Sequence, residues 1–299
     1  MAHLDRSETG HHQCLLCGDD NPWSLKLQFS AGGNGMVLAQ FKAHGMLQGY
    51  LGMVHGGIVA ALLDAAMTNC LASRMNVPLD SADFIVISHG HYDHTGGLAA
   101  VLSLTTRARV YCHPSASRTR YSVRSGQARM VGMPEVSRIA LGSLPKDRRR
   151  LVSQPMTIAE GIGLTGAIPR KSDFEDVGGP FFLDADAATP DTLEDDLAMW
   201  IATPKGLVII TGCAHAGLVN TLEHIRHIAK QDKIYAIIGG FHLAGASDRR
   251  LKLTAEALKA LSPALVAPCH CTGQRAVESL RDVLGERVTP CSSGAAWSF

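Results

Sequence analysis

The stretch Phe84-Ile85-Val86-Ile87-Ser88-His89-Gly90-His91-Tyr92-Asp93-His94 decides how this chain is read. The apolar run predicts a short buried strand. Behind it, three histidines and one aspartate stand at H-x-H-x-D-H spacing over residues 89–94. A strand that ends in such a loop aims all four side chains into one small volume. Imidazole and carboxylate are ligands for zinc, iron or manganese. Four of them are too many for one open catalytic metal that also takes distant ligands. They suit two metals that share a bridging water.

The same device recurs downstream. Leu207 to Ile210, Ile234 to Ile238 and Ala264 to Pro268 read as strands, and His215, His242 and His270 follow them. Ligands repeated at the C-terminal ends of strands converge on one edge of a sheet. His224 and His227 fall on a predicted helix over 218–230, and His113 precedes a proline; these three read as structural. Arg107 to Cys112 is another strand and Leu251 to Leu261 another helix. Strands alternating with helices argue for an α/β layered fold. Residues 115–200, rich in Arg, Gly, Pro and Asp, read as loops around a site.

Composition narrows the classes. With 46% hydrophobic and only 5% aromatic residues, the core is built from Ala, Val, Ile, Leu and Met. A net charge of +1 gives no strong attraction to polyanions, so no nucleic-acid partner is expected. No apolar stretch is long enough for a bilayer, and residues 1–6 lack the apolar core of a signal peptide. No membrane partner is expected, and the location is read as cytoplasmic. The eight cysteines, with close pairs at Cys14/Cys17 and Cys269/Cys271, then read as reduced thiols.

Residues 77–299 resemble the metallo-β-lactamase-fold family that includes 7,8-dihydropterin-6-methyl-4-(β-D-ribofuranosyl)-aminobenzene-5′-phosphate synthase. The resemblance is carried by Ser88 to Gly97, Thr165 to Arg170, Asp195-Asp196, Gly206 to His215, Gly239 to Leu243 and Pro268 to Gly273. It implies an αββα sandwich. It implies that His89, His91 and His215 hold a first metal, and Asp93, His94 and His270 a second. The cofactors would be two divalent transition metals, zinc foremost, with iron, manganese or nickel as alternatives. Most of the superfamily bridges its metals with an aspartate where this chain carries His242. One anionic bridge is thus missing, which weakens the second position and leaves single or labile metal binding open. Asp93, His242 and Arg170 are the catalytic candidates. Arg170 and Lys171, with Arg118, Arg120 and Arg124, are candidates to hold a phosphate or carboxylate. The implied function is a metal-dependent hydrolase or transferase. It would use metal-bound hydroxide on a phosphate ester, lactone or similar small molecule.

Residues 14–74 resemble something else. Cys14-Leu15-Leu16-Cys17-Gly18, Gln48-Gly49-Tyr50, His55-Gly56-Gly57 and Leu62-Leu63-Asp64 are similar to the start of a hot-dog-fold thioesterase of the phenylacetate-degradation type. In that family the helix start after His-Gly-Gly polarises a thioester, here with Asp64 as base or nucleophile. Leu25 to Phe29 and Met36 to Phe41 read as a hairpin about Asn34-Gly35, and the run after His55-Gly56-Gly57 as a helix to Ser73. The expected organisation is a disordered tail over 1–13, a hot-dog-like fragment over 14–76 and a metallo-β-lactamase domain over 77–299. The fragment's hairpin and helix are expected to pack on the sheet and complete the sandwich, or else to mediate a homodimer. Two other functions follow from this junction: an acyl-CoA thioesterase at His55, Gly57 and Asp64, or a non-catalytic fusion with a damaged metal site.

Overall fold

The structure is a computed structural model, and it describes residues 20, 22, 24–31, 37–39, 48–50, 53–54, 79–292 and 295–299. Cys14, Cys17, His55, Gly57, Asp64 and the expected helix to Ser73 lie outside the described residues. The chain divides into two compact units. The first takes the residues up to Ile85, with Thr95–Arg109 and Pro134–Arg148; the second takes Val86–His94, Val110–Met133 and Arg149–Phe299.

In the first unit, β1 (Phe29–Ala31) pairs antiparallel with β2 (Val37–Ala39), so the expected strand pairing is present over a shorter span, while the expected turn at Asn34-Gly35 lies outside the described residues. It starts at Phe29 rather than Leu25 because Lys26 has a φ of 52°, a left-handed conformation that no strand contains. A second antiparallel pair joins β3 (Gln48–Tyr50) to β4 (Met53–Val54). The helix Leu98–Leu104 packs on the helix Glu135–Gly142. Arg148 closes the unit by donating to the carbonyls of Ala108 and Thr105, both at 3.0 Å.

The second unit carries the principal sheet. The apolar run before His89 forms β5 (Phe84–Val86), of which Val86 belongs to this unit, and β6 (Arg109–Cys112) follows, in this unit from Val110. Next come β7 (Tyr121–Arg124), β8 (Gln127–Met130), β9 (Arg149–Leu151), β10 (Met156–Ala159) and β11 (Ile162–Leu164). They are followed by β12 (Phe181–Phe182), β13 (Ala198–Thr203), β14 (Gly206–Thr211), β15 (Ile234–Gly240) and β16 (Leu265–Cys269). Six strands join in the order β10-β11-β13-β14-β15-β16. Each neighbouring pair among the first four is antiparallel, whereas β14, β15 and β16 are parallel.

Each parallel strand leads into a helix: Leu218–Ala229, Asp248–Leu261 and Gln274–Leu284. Parallel strands covered on both faces read as continuous apolar runs, and β14 is buried along nearly its whole length. The helices cover the sheet with stripes such as Ala276, Val277, Leu280 and Leu284. Leu207, Ile209, Leu222, Ile237, Phe241 and Leu258 make the centre of this core. Fully burying each such side chain contributes about 1.5–3 kcal/mol. Ser247 caps the second helix by accepting from the Arg250 N–H at 3.2 Å. Glu175 caps the first, accepting from Val219 and Asn220 N–H at 2.8 and 2.9 Å.

Residues 115–200 are not simply loops. They hold the β7–β8 hairpin, which joins β12 in a three-stranded sheet, together with β9 to β11 and the helix Glu135–Gly142. The turn at Ser125-Gly126 has φ of 50° and 74°, the left-handed pair that a tight hairpin requires.

Candidate metal centre

All of the site lies in the second unit. The pairings Thr211 with Gly239 and Gly239 with Pro268 put the ends of β14, β15 and β16 side by side. His215, His242 and His270 therefore leave three adjacent strands at the same edge. Each turn contains a left-handed non-glycine residue: Ala214 at φ 55°, His242 at 45° and His270 at 50°. Such residues cost of order 1–3 kcal/mol and gather where the surrounding structure dictates the backbone. On the other side, Ile87 N–H donates to the Tyr111 carbonyl at 2.9 Å, and Leu197 N–H to the Ser88 carbonyl at 2.7 Å. These bonds hold the strand end from which His89 departs.

The six expected ligands come together in two triads. Donor atoms of His89, His91 and His215 lie within 4.8 Å of one another, as do those of Asp93, His94 and His270. His89 Nε2 and His91 Nδ1 are 3.1 Å apart, and so are His94 Nε2 and His270 Nε2. Asp93 Oδ2 stands 3.3 Å from His270 Nε2 and 3.6 Å from His94 Nε2. Two imidazole nitrogens on one tetrahedral zinc are about 3.3 Å apart, given bonds of about 2.05 Å. The donors present thus fit a transition metal.

His215 makes the fit sharper. Its Nδ1–H donates to the Val177 carbonyl at 2.7 Å. Its Nε2 is buried and has no hydrogen-bond partner among the described residues. The lone pair is therefore on the atom that faces the cluster, as a metal ligand needs. Ser88 Oγ contacts His89 Nδ1 at 3.1 Å and does the same service there.

The loop itself rests on a buried ionic network. Gly90 N–H donates to Asp195 Oδ2 at 2.8 Å. Arg120, fully buried, donates from Nη1 and Nη2 to the same carboxylate at 3.0 and 2.6 Å. Its Nε reaches Asp191 Oδ2 at 2.6 Å. Position 90 has no room for a side chain: a Cβ would lie 1.9 Å from the Ala116 carbonyl oxygen and 2.3 Å from Arg120 Nη1.

Burial sets the protonation of the cluster. Desolvation, joined by the neighbouring rings, lowers His89 and His215 well below the usual imidazole range. It brings His91 and His94 to about 4. All four imidazoles are neutral at pH 7. For Asp93, burial works upward, but the His270 hydrogen bond and the His94 and His270 rings bring it net down to about 2. The same bond raises His270. Desolvation lifts the carboxyl of Asp196 to about 7; it accepts from Ala216 N–H at 2.7 Å, next to His215.

The other expected residues fall in different places. His242 packs its ring on His215 with centroids 4.2 Å apart, beside Phe181, and among the described residues it joins no cluster of three donors. Arg170 donates to the carbonyls of His215 (2.6 Å), Thr192 and Leu193 (3.2 Å), so it holds the turn that carries His215. Arg120 is committed to Asp191 and Asp195, and Arg118 pairs with Glu194 at 2.7 Å on the surface. Lys171 is exposed, and Arg124 is exposed at the end of β7. His224 donates to the Thr165 carbonyl, and His113 accepts from Ser115 N–H, both at 3.2 Å and both structural. The roles of Asp195, Asp191 and Ser88, and the approach of Cys213 to the site, escaped sequence reasoning. The Asp195-Asp196 doublet was the only signal.

The chain is similar to known proteins. Residues 48–270 match the family model described as the metallo-beta-lactamase superfamily, a match that begins upstream of the expected boundary at Val77. The chain is 30% identical over 212 residues to 7,8-dihydropterin-6-methyl-4-(beta-D-ribofuranosyl)-aminobenzene-5'-phosphate synthase of Methanocaldococcus jannaschii, covering 68% of this chain and 70% of that protein. It is 31% identical over 224 residues to uncharacterized protein MJ0448 of the same organism, covering 73% and 81%. Among solved structures it is similar to Tm1679, a metal-dependent hydrolase of the beta-lactamase superfamily. That likeness has a TM-score of 0.62 and 28% identity over 75% of this chain and 81% of the other. No helix among the described residues is long and apolar enough to cross a membrane. With its mixed α/β architecture and its strand-end histidines, this chain belongs to the metallo-β-lactamase superfamily and has that superfamily's metal-dependent hydrolase fold.

Proposed function

We propose that the protein is a dinuclear metal-dependent hydrolase or group-transfer enzyme acting on a small phosphate ester, lactone or related ester. The observation that carries this reading is the pair of donor triads at one sheet edge. His89, His91 and His215 would hold one metal; Asp93, His94 and His270 would hold the other. Bound there, a divalent metal supplies a water acidified to a pKa of about 7 and a Lewis acid for the developing oxyanion.

The chain's own residues do the rest. Ser88 and the Val177 carbonyl orient His89 and His215. The first triad is buried, whereas the Asp93 and His270 side chains are 39% and 43% exposed, so substrate approaches from the second triad's side. Phe181, half-buried, packs its ring against His91 and His215. His242, kept neutral by burial, offers a ring nitrogen to the substrate or leaving group. Arg170 acts through the backbone of His215. With Arg120 and Arg170 committed to the protein, a substrate phosphate would be held chiefly by the metals. The phosphate in the M. jannaschii relative's name puts phosphate esters first among the substrate classes.

The test is metal content by elemental mass spectrometry, followed by a phosphodiester, lactone and thioester panel with and without chelator. One to two equivalents of transition metal and chelator-sensitive turnover are expected, and His91→Ala should lose metal and turnover together. Full activity in that variant sinks the assignment. Thioester cleavage indifferent to chelator would instead favour a site at Asp64.

A further inference from the structure

Of the six ligands assigned above, only Asp93 is an anion. Two divalent cations would bring four positive charges into a largely buried site, and uncompensated buried charge is costly. Two further donors stand at the same place. Cys213, just past β14, is only 3% exposed, and its Sγ is 3.1 Å from His94 Nε2. Cys213 Sγ, Cys271 Sγ and a ring nitrogen of His270 lie within 4.8 Å of one another. Cys213 Sγ is also within 4.8 Å of donor atoms on both His89 and His94. Neither cysteine is in a disulfide.

The fold makes room for this meeting. β15 runs between β14 and β16, and at its end stands Gly240. A Cβ at Gly240 would lie 2.8 Å from Cys271 Sγ and 3.4 Å from Cys213 Cα. A side chain there would push the thiols away. A buried cysteine that only fills space sits among apolar groups; Cys213 Sγ instead faces an imidazole nitrogen that itself faces His270 and Asp93.

Resting on the metal-centre reading, we propose that Cys213 and Cys271 are metal ligands. The second position is then a mixed sulfur–nitrogen site of His94, His270, Cys213 and Cys271, with Asp93 on its open side. Each thiol forms a sulfur–metal bond and releases its proton to solvent, with no change of oxidation state. Two thiolates and Asp93 then set three negative charges against the two divalent ions. Sulfur donors favour zinc or ferrous iron over manganese or magnesium.

The full chain loaded with cobalt(II) tests this without an activity assay. Thiolate ligation gives a strong near-ultraviolet sulfur-to-cobalt charge-transfer band. The band is expected in the wild type, lost for the most part in Cys213→Ser, weakened in Cys271→Ser and unchanged in Cys291→Ser. Bound cobalt with no such band overturns the proposal and leaves the histidine and aspartate site intact. No bound cobalt at all overturns both, and the cobalt count separates the two failures. If Cys213→Ser does not fold, zinc X-ray absorption on the wild type decides. A zinc–sulfur shell at about 2.3 Å supports thiolate ligation, and a shell of nitrogen and oxygen alone at about 2.0–2.2 Å refutes it.

Discussion

Replacing Arg120 with methionine removes the buried cation on which the His89–His94 loop rests. The guanidinium is fully buried and is shared between Asp191 and Asp195, whose side chains are 5% and 0% exposed. Methionine keeps much of the stem and leaves both carboxylates without a cation. Breaking a buried pair by removing one partner costs about 3–5 kcal/mol. For a domain of this size that corresponds to a fall in Tm of roughly 6–20 °C. The loss reaches the metal as well, because Asp195 Oδ2 also accepts the Gly90 N–H between His89 and His91. Loss of such outer support typically weakens metal binding by about 10–100-fold.

The penalty carries a pH signature. Burial already raises the Asp195 carboxyl, with Arg120 opposing it. Without Arg120 the folded-state pKa climbs further above the unfolded value of about 3.9. A carboxyl so raised holds its proton more tightly in the folded state. Its contribution is therefore present at low pH and lost as pH rises towards the folded pKa. The variant should come closest to wild type near pH 5 and fall furthest behind at pH 8. Urea unfolding at both pH values, with metal affinity by competition, reads this. Asp195→Asn keeps an acceptor for Gly90 and removes a charge, so the double variant should recover part of the loss at pH 8. An Arg120→Met protein within about 0.5 kcal/mol of wild type at pH 8, binding metal normally, would refute the reasoning.

Three further outcomes are expected. Gly90→Ala forces a Cβ into the Ala116 carbonyl and the Arg120 guanidinium; a loss of about 1–3 kcal/mol and a lower metal count should appear, and a fully metallated variant of wild-type stability would contradict it. Asp196, raised to about 7 by burial, makes the folded protein lose stability as pH rises from about 4 through that value. Asp196→Asn should flatten the dependence of the urea midpoint on pH over that interval, and an unchanged slope would assign the dependence elsewhere. Stepwise chelation of protein holding two metals should remove the ion at Asp93, His94 and His270 first, because those side chains are partly exposed while the first triad is buried; simultaneous loss would argue against two separately held ions.

What was legible in the sequence was what is local and periodic. β14, β15 and β16 are buried on both faces, so each appears as an apolar run, and a histidine following each run marks the shared edge. The elements of residues 115–200 left no such trace. β12 has two residues, and all four residues of β8 are exposed, so neither shows a period; their pairing is set by turns. Asp195 was opaque for another reason. It meets Gly90 across 105 positions of sequence, and the Asp195-Asp196 doublet marks the residue without indicating its partner. Cys213 and Cys271 were likewise read only as reduced thiols, since their approach depends on the register of strands on either side of β15.

Two kinds of scaffold build the site, and each has its own cost. The parallel strands deliver one histidine apiece, and a left-handed residue at each strand end turns the chain towards the edge. That strain, a few kcal/mol in all, is borne by the apolar core beneath β14 to β16. The His89–His94 loop is different, since it delivers four candidate ligands within six residues and has no sheet of its own over that span. Rigidity there comes from polar contacts: Asp195 on Gly90, Arg120 on Asp195, and Tyr92 N–H on the Val131 carbonyl at 2.9 Å. An apolar substitute would satisfy neither the Gly90 N–H nor the buried carboxylates, so the desolvation cost of the network is inseparable from the geometry it enforces. Neutral imidazoles at the buried triad follow from depth, whereas Asp93 stays ionised against its burial through the His270 hydrogen bond and the neighbouring rings. The arrangement places the one carboxylate of the cluster, Asp93, on its exposed side.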